Sequence, residues 1–130
     1  MVSSRAIEAL NSDVAYQHIH GIVVDGIEPV HAFLANLKEP DLGQFLAAFD
    51  KLDESGHLQA NPWKQMGKWF KPLHYVNNVW QISSNTHRLL GFRQGHVLIL
   101  TNGFYKTGGE TPPKHIKKSG LLWRRYETES

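Results

Sequence analysis

The sequence predicts a mixed α/β fold of the α+β class: a strand, a two-helix hairpin, a three-stranded antiparallel meander and a short C-terminal helix. Three observations carry this prediction. One early run is rich in β-branched and aromatic residues, two later segments repeat apolar residues at helical spacing, and three apolar runs near the C-terminus are separated by two-residue breaks. A length of 130 residues suits one domain with a real core, so we expect a single domain over residues 1–130, with 1–13 and 121–130 peripheral.

The N-terminal segment predicts a short helix followed by the first strand. The Ser3-Ser4 pair is a candidate cap for a helix that runs through Leu10. Residues 14–24, VAYQHIHGIVV, suit a half-buried strand, and Asp25-Gly26 is a turn signal that ends it.

Two amphipathic helices are predicted next. Pro29 suits a first helical turn, Glu39-Pro40 separates the helices, and Gly56 is a C-terminal stop signal. Each helix has one apolar stripe that needs a sheet to cover it. The stripes consist of Val30, Phe33, Leu34 and Leu37 in the first helix and Leu42, Phe45, Leu46, Phe49 and Leu52 in the second.

The meander is predicted from Val79–Ser83 and from residues 87–92 and 97–101, with hairpin-length breaks at Asn85-Thr86 and Gln94-Gly95. After the last strand, Gly103 is expected to allow a sharp turn. Thr111-Pro112 then resembles an N-cap followed by a first-position proline, which predicts a helix start.

Positive charge is concentrated in the C-terminal part of the chain. The formal net charge is only +2, but between Thr101 and Tyr126 six Lys or Arg residues face a single acid, Glu110. Such clustering favours an anionic partner, although a solvated basic surface is always the simpler explanation.

Composition excludes several classes of protein. Because the chain has no cysteine, disulfides and thiolate metal sites are excluded, and we expect a cytoplasmic location. No apolar run reaches membrane-spanning length and no signal pattern is present, so no membrane association is expected. His18 and His20 alternate on the first strand, but no acid or further histidine completes a metal set, so we expect no metal and no cofactor.

The stretch from Val79 to Lys118 resembles the C-terminal half of the RelE/ParE toxin superfamily, nearest its HigB-like, phage-derived branch. In that branch a tryptophan strand, an arginine strand and an aliphatic strand precede a phrase close to G-F-x-K-K-T-x-K-T-P-x-x-E-I. The resemblance covers roughly residues 15–120 and rests on the ordered combination of motifs. The matching places hold Trp80, Arg88, residues 97–100, residues 103–107, Thr111-Pro112 and Ile116.

The resemblance implies a RelE-like fold and the toxin of a type II toxin–antitoxin system. Such a toxin is a ribosome-dependent messenger RNA endonuclease (an mRNA interferase) that inhibits translation without a metal. The implied partners are messenger RNA on the ribosome and a cognate antitoxin, a small helix-turn-helix protein, in a homodimer or a toxin–antitoxin heterocomplex. The alternatives are a non-catalytic, ParE-like inhibitor of DNA gyrase and an inactive member that only binds a partner.

The candidate catalytic residues are Arg88, Tyr105, Lys106, His87 and His74. Arg88 matches a phosphate-contacting arginine of the family, and its guanidinium fork fits two phosphate oxygens. Strand alternation places Arg88 opposite His87, either at the rim of the core or in a buried ion pair. Candidate RNA-binding cations are Lys64, Lys68, Lys71, Lys114, Lys117 and Lys118.

Several positions depart from the family pattern. Val79, Gln81 and Ser83 stand on the tryptophan strand where many ribosome-dependent members have lysine or arginine, and Asn102 replaces a frequent histidine. Thr107 stands in place of a second lysine, and Gly120 interrupts the terminal helix. Whether catalysis survives these departures is left open.

Overall fold

The structure, a computed structural model, describes residues 2–8, 15–56, 70–72, 79–106, 108–109 and 111–129. These residues form a six-stranded sheet and three helices, which confirms the predicted mixed α/β class. No described helix is both long and apolar enough to cross a membrane. The strands are β1 (Val2–Glu8), β2 (Ala15–Val24), β3 (Phe70–Pro72), β4 (Val79–Ser83), β5 (His87–Gln94) and β6 (Val97–Tyr105), and the helices are α1 (Pro29–Ala35), α2 (Glu39–Gly56) and α3 (Pro113–Glu129).

The sheet is mixed, with the strand order β1-β2-β6-β5-β4-β3. β2 and β6 are parallel from the pair Ile19–Leu98 to the pair Gly21–Leu100, and the other neighbouring strands are antiparallel. The sheet is therefore larger than the predicted three-stranded meander. Its two parallel strands, β2 and β6, are separated in the chain by α1, α2 and the strands β3 to β5. A register shift opposite Leu90 and Gly91 leaves Thr101 as an extra residue in β6.

The helical hairpin covers one face of the sheet. Val30 and Leu34 from α1 and Phe45 and Phe49 from α2 are at most 1% exposed, and they join Ile82 in one core cluster. The partly buried Phe33, Leu37, Leu46 and Trp80 pack against this cluster. Both predicted helical stripes are confirmed, because each faces the sheet as its 3.6-residue period requires.

Helix α3 covers the opposite face. Ile116 joins Val79, Leu90, Phe92 and Phe104 in a second cluster, and Trp123 packs against it. The ring of Trp123 is stacked on that of Phe92, with centroids 4.8 Å apart. Leu90 and Phe92 thus lie on the face opposite Leu89, as strand alternation predicts.

Both ends of the chain differ from prediction. The expected helix at Ser3-Ser4 is wrong, because β1 pairs along β2 and buries Val2 and Ile7; this pairing outweighs a weak capping signal. The expected short C-terminal helix is also wrong, because α3 has 17 residues. A glycine inside a helix costs only about 1 kcal/mol, and the packing of Trp123 beyond Gly120 offsets it. Residues 2–8 and 121–129 are therefore parts of the sheet and of α3 rather than peripheral segments.

Candidate functional site

Four of the predicted catalytic residues meet at one end of the β5–β6 ladder. His87 is the register partner of Tyr105, Arg88 is the partner of Phe104, and the backbone N–H of Lys106 donates to Thr86 O at 2.8 Å. Because side chains alternate along a strand, His87 and Arg88 leave β5 on opposite faces. The structure therefore gathers the predicted residues at one end of the sheet but divides them between its two sides. His74 lies outside the described residues.

An open groove with a volume of about 360 Å³ lies beside β6 on the α1 side of this end. It exists because the pairing of β2 with β6 stops at Gly21–Leu100, while β6 continues to Tyr105. α1 forms one wall of the groove, and Lys118 from α3 reaches the other. The lining residues are Pro29, Ala32, Phe33, Asn36, Leu37, His87, Asn102, Gly103 and Lys118.

Gly103 forms the base of the groove and is not a turn residue, contrary to the sequence-based expectation. It lies within β6, and a Cβ atom at this position would stand 2.5 Å from the Phe33 ring. A contact of that length is not tolerated by side-chain packing. Glycine is therefore required here so that Phe33 can lie against the strand.

His87 is held from one side by a polar network. Its Nδ1 lies 2.7 Å from Thr86 Oγ1 and 3.8 Å from Asp41 Oδ1. Thr86 and Ser84 donate their hydroxyl protons to the same Asp41 oxygen, at 2.5 and 3.2 Å. The hydrogen bond from Thr86 first, and with it that from Ser84 and the charge effect of the nearby His87, hold the pKa of Asp41 below its ordinary value against the opposing effect of burial.

Aromatic rings enclose the imidazole on its other sides. Its centroid lies 5.6 Å from that of Phe33 and 5.2 Å from that of Tyr105, both in edge-to-face geometry. The His87 side chain is 19% exposed, whereas Tyr105 is 61% exposed. Nε2 of His87 makes no hydrogen bond to any residue within the described ranges, so this nitrogen is available to a ligand in the groove.

Arg88 occupies a rim position on the α3 side. Its NH1 donates to Ser84 O at 2.5 Å and to His87 O at 2.8 Å, and burial lowers its pKa. These two bonds use both NH1 protons, so Nε–H and both NH2 protons stay unengaged by the part of the chain that the structure describes. Arg88 and Lys106 line a small cavity together with Phe104, Gly108, Gly109, Thr111 and Pro112.

Only some of the predicted RNA-binding lysines lie near this end of the sheet. Lys118 lines the groove, and Lys114 and Lys118, after burial, are the causes that lower the pKa of His115. Lys117 is exposed and lines neither of the two cavities. Lys64 and Lys68 lie outside the described residues, and Lys71 is described only by its backbone pairing with Gln81.

Four of the residues that depart from the family pattern are buried, while Gly120 is partly exposed and Thr107 lies outside the described residues. Val79 is fully buried, Gln81 is 4% exposed and accepts a hydrogen bond from Thr111, and Ser83 is 7% exposed. Asn102 is 2% exposed and donates to the carbonyl of His115 in α3. A lysine or arginine at these four positions would be a buried charge, which is costly without a partner. The uncharged side chains at these positions are therefore consistent with a sheet face that α3 covers.

Sequence reasoning missed Asp41, Ser84 and Thr86. Asp41 lies in the first turn of α2, where an acid is common at the positive end of a helix dipole. Nothing in the sequence indicates that it contacts residues 43 and 45 positions later. The only local signal was the polar character of the turn between β4 and β5.

Within the described ranges, no three His, Asp or Glu side chains come together as a metal-binding group. His18 pairs with Asp53, with Nδ1 and Oδ1 3.1 Å apart, and His20 Nδ1 lies 3.3 Å from the Ser4 hydroxyl. Both histidines therefore have partners that suit a structural role.

No protein-family model matches the chain, and no curated protein matches it at a significant level. The features that bear on function are therefore the groove beside β6, the Tyr105 ring next to its His87, and the nearby cations.

Proposed function

We propose that this protein is the toxin of a type II toxin–antitoxin pair, with a RelE-like fold, and that it cleaves messenger RNA on the ribosome. The observation that carries the proposal is the contact between His87 and Tyr105 at the groove, with Arg88 and Lys106 at the same end of the sheet. A proton acceptor, a phenol and two cations can supply the proton transfers and the charge stabilisation that metal-independent RNA cleavage requires.

The order of elements supports the fold part of the proposal. A strand, a helical hairpin and three antiparallel neighbours follow one another as β2, α1, α2, β4, β5 and β6. Trp80 lies in the first of the three antiparallel strands, Arg88 in the second and the aliphatic run in the third, as the resembled family orders them. β1 is an addition to that pattern, whereas α3 continues through Gly120, as the commonly longer terminal helix of the family would.

In the proposed reaction, Nε2 of His87 accepts the proton of a ribose 2′-hydroxyl. The 2′-oxygen forms a bond to phosphorus, the bond from phosphorus to the 5′-oxygen breaks, and the 5′-oxygen takes the proton of the Tyr105 hydroxyl. The products are a 2′,3′-cyclic phosphate and a 5′-hydroxyl end. Proton transfer through water from the imidazolium to the tyrosinate restores both residues.

The cations stabilise the charge that grows on the phosphorane oxygens. Nε–H and NH2 of Arg88 form an unused fork that fits two phosphate oxygens, and Lys106 adds a charge beside it. Because these groups lie across the sheet from His87, the RNA must cross the end of the β5–β6 ladder. Tyr105 and Lys106, both exposed, lie at this crossing.

One observation favours the non-catalytic, ParE-like alternative. Both NH1 protons of Arg88 are engaged by carbonyls of the β4–β5 turn, so Arg88 has a structural role whatever else it does. A protein that used Arg88 only to hold this turn would keep its fold and bind a partner such as gyrase without cleaving RNA.

The deciding experiment is a purified translation system with a defined message, assayed in parallel with gyrase supercoiling. The proposed function predicts new 5′-hydroxyl ends that depend on ribosomes and persist with a chelator present. It also predicts that an acidic antitoxin encoded beside the toxin abolishes cleavage. Inhibition of supercoiling by wild-type protein that leaves the message whole would replace the nuclease with the gyrase inhibitor.

A further inference from the structure

The Thr86 hydroxyl lies between the Asp41 carboxylate and the His87 imidazole. Because it has a single proton, the direction of that proton determines which group donates in each of the two hydrogen bonds. The hydroxyl lies 2.5 Å from Asp41 Oδ1 and 2.7 Å from His87 Nδ1. An ionised carboxylate only accepts hydrogen bonds, so the Thr86 proton points to Asp41. Thr86 Oγ1 can then only accept from His87, which requires a proton on Nδ1.

The bridge through Thr86 is the effective link, because Asp41 does not reach the imidazole directly. The distance of 3.8 Å between Asp41 Oδ1 and His87 Nδ1 exceeds that of a hydrogen bond. Ser84 strengthens the arrangement: its hydroxyl donates to Asp41, and it accepts the backbone N–H of His87 at 2.9 Å. The backbone and the ring of His87, the first residue of β5, are therefore both held by groups that bond to the same carboxylate.

We infer that Asp41, acting through Thr86, locks His87 in the tautomer with its proton on Nδ1 and so presents the Nε2 lone pair to the groove. Free histidine prefers the opposite tautomer, in which Nε2 carries the proton and cannot accept another. The catalytic consequence rests on the proposed function, in which Nε2 takes the 2′-hydroxyl proton. Asp41 and Thr86 are thus positioning residues, because they act through His87.

The charged and titratable groups around His87 are consistent with this role. Asp41 faces it from α2 and Tyr105 from β6, and Lys118 lies across the groove on α3, while the facing residue of α1 is the uncharged Phe33. Asp41 is the only acid among these neighbours in the described part of the chain, so no other carboxylate competes for the Thr86 proton.

The test is to measure the His87 tautomer by two-bond ¹H–¹⁵N correlations of the neutral ring in ¹⁵N-labelled protein. Wild type is expected to give the Nδ1–H pattern. Thr86→Val, which keeps the side-chain volume, should shift the ring toward Nε2–H, and Thr86→Ser should restore Nδ1–H. Asp41→Ala should also give Nε2–H, because the released Thr86 proton can then point to Nδ1. Thr128→Val is the matched control, since that hydroxyl bonds only to carbonyls of its own helix.

Cleavage of a defined message on purified ribosomes is measured for the same variants. Thr86→Val should lower the rate about 10- to 100-fold, a part of the roughly 10²–10⁴-fold that a general base contributes, and Thr86→Ser should recover most of it. An Nε2–H pattern in wild type overturns the inference, and an altered tautomer with unchanged cleavage overturns its catalytic part. An Nδ1–H pattern in a wild-type protein that cleaves nothing rejects the proposed function alone.

Discussion

The carboxylate of Asp41 and the hydroxyl of Thr86 are joined at 2.5 Å, although 45 positions separate them in the chain. This contact links the first turn of α2 to the turn between β4 and β5. The position of His87 depends on that turn. The helical hairpin therefore does more than cover the sheet, because a carboxylate in the first turn of α2 orders the candidate site.

The first prediction concerns pH. The pKa of Asp41 is lower in the folded state than its unfolded-state value near 3.8. The carboxylate therefore contributes fully to stability at pH values above the unfolded-state pKa, and this contribution is lost as the pH falls through the folded-state pKa. Wild type should be more stable than Asp41→Asn at pH 7, and the two free energies of unfolding should converge at strongly acidic pH. Denaturant unfolding at a series of pH values measures this, and a difference that stays constant with pH would contradict it.

The second prediction concerns Arg88. Arg88→Ala should reduce message cleavage by about 10²-fold or more, as the loss of one preorganised charge stabiliser does. It should also destabilise the protein by about 1–3 kcal/mol, because Ser84 O and His87 O each lose the hydrogen bond from NH1, although His87 O still accepts the backbone N–H of Ser84. Arg88→Lys should recover part of the activity, since an ammonium lacks the fork. Lys106→Ala, which removes an exposed cation, should lower cleavage less and leave stability unchanged. Full cleavage by Arg88→Ala, at a temperature where it is folded, would assign Arg88 to the turn alone.

The third prediction concerns Tyr105. Because its side chain is 61% exposed, Tyr105→Phe should leave the free energy of unfolding unchanged while lowering the cleavage rate. Tyr126→Phe is a suitable control, since its hydroxyl bonds to Gln94 away from the groove. Unchanged cleavage by Tyr105→Phe, together with a loss in Tyr105→Ala, would instead show that the ring stacks on a base.

The fourth prediction concerns Gly103. Gly103→Ala should destabilise the protein by about 1–3 kcal/mol, because the new methyl group overlaps the Phe33 ring. Gly108→Ala, where an added Cβ meets nothing within 4 Å, is the control. In the double variant with Phe33→Leu the cost of Gly103→Ala should shrink. If the destabilisation by the double variant equals the sum of the two single effects, the Phe33 ring is not what the new methyl group meets.

The fifth prediction concerns the core. Phe45 is fully buried and packs in the cluster between the helical hairpin and the sheet. Phe45→Ala should therefore cost about 3–5 kcal/mol, as truncation of a large core side chain does. Thermal and denaturant unfolding measure the cost, and Leu121→Ala, at a 56% exposed position, should change little. A cost below about 1 kcal/mol would contradict this account of the core.

The parts of the fold that sequence reasoning predicted are those with a local period. The stripes that contain Phe45 and Leu34 specify which helix faces are buried, and alternation along β5 separates Arg88 from Leu89. What escaped prediction depends on pairing between distant segments. β1 is a strand because β2 lies beside it, and Gly103 is required by Phe33 rather than by a turn.

In the candidate site, too, the residues within local motifs were predictable and those brought in by distant contacts were not. His87 and Arg88 were identifiable because a short motif contains them, and the pairing of His87 with Tyr105 follows from a regular hairpin. Asp41 was not identifiable, because its role is created by the docking of α2 against the β4–β5 turn. A single sequence does not show which residues of α2 lie against which residues of the β4–β5 turn.

The parallel pairing of β2 with β6 constrains the order in which the chain folds. β5 and β6 are joined by a two-residue turn at Gly95 and can pair within microseconds, whereas residues 19–21 must wait for residues 98–100. During synthesis the ribosome releases β2 and both hairpin helices long before their partner strand emerges. The sheet therefore closes only when nearly the whole chain is available, and the groove beside β6, together with its His87, forms at the end of folding.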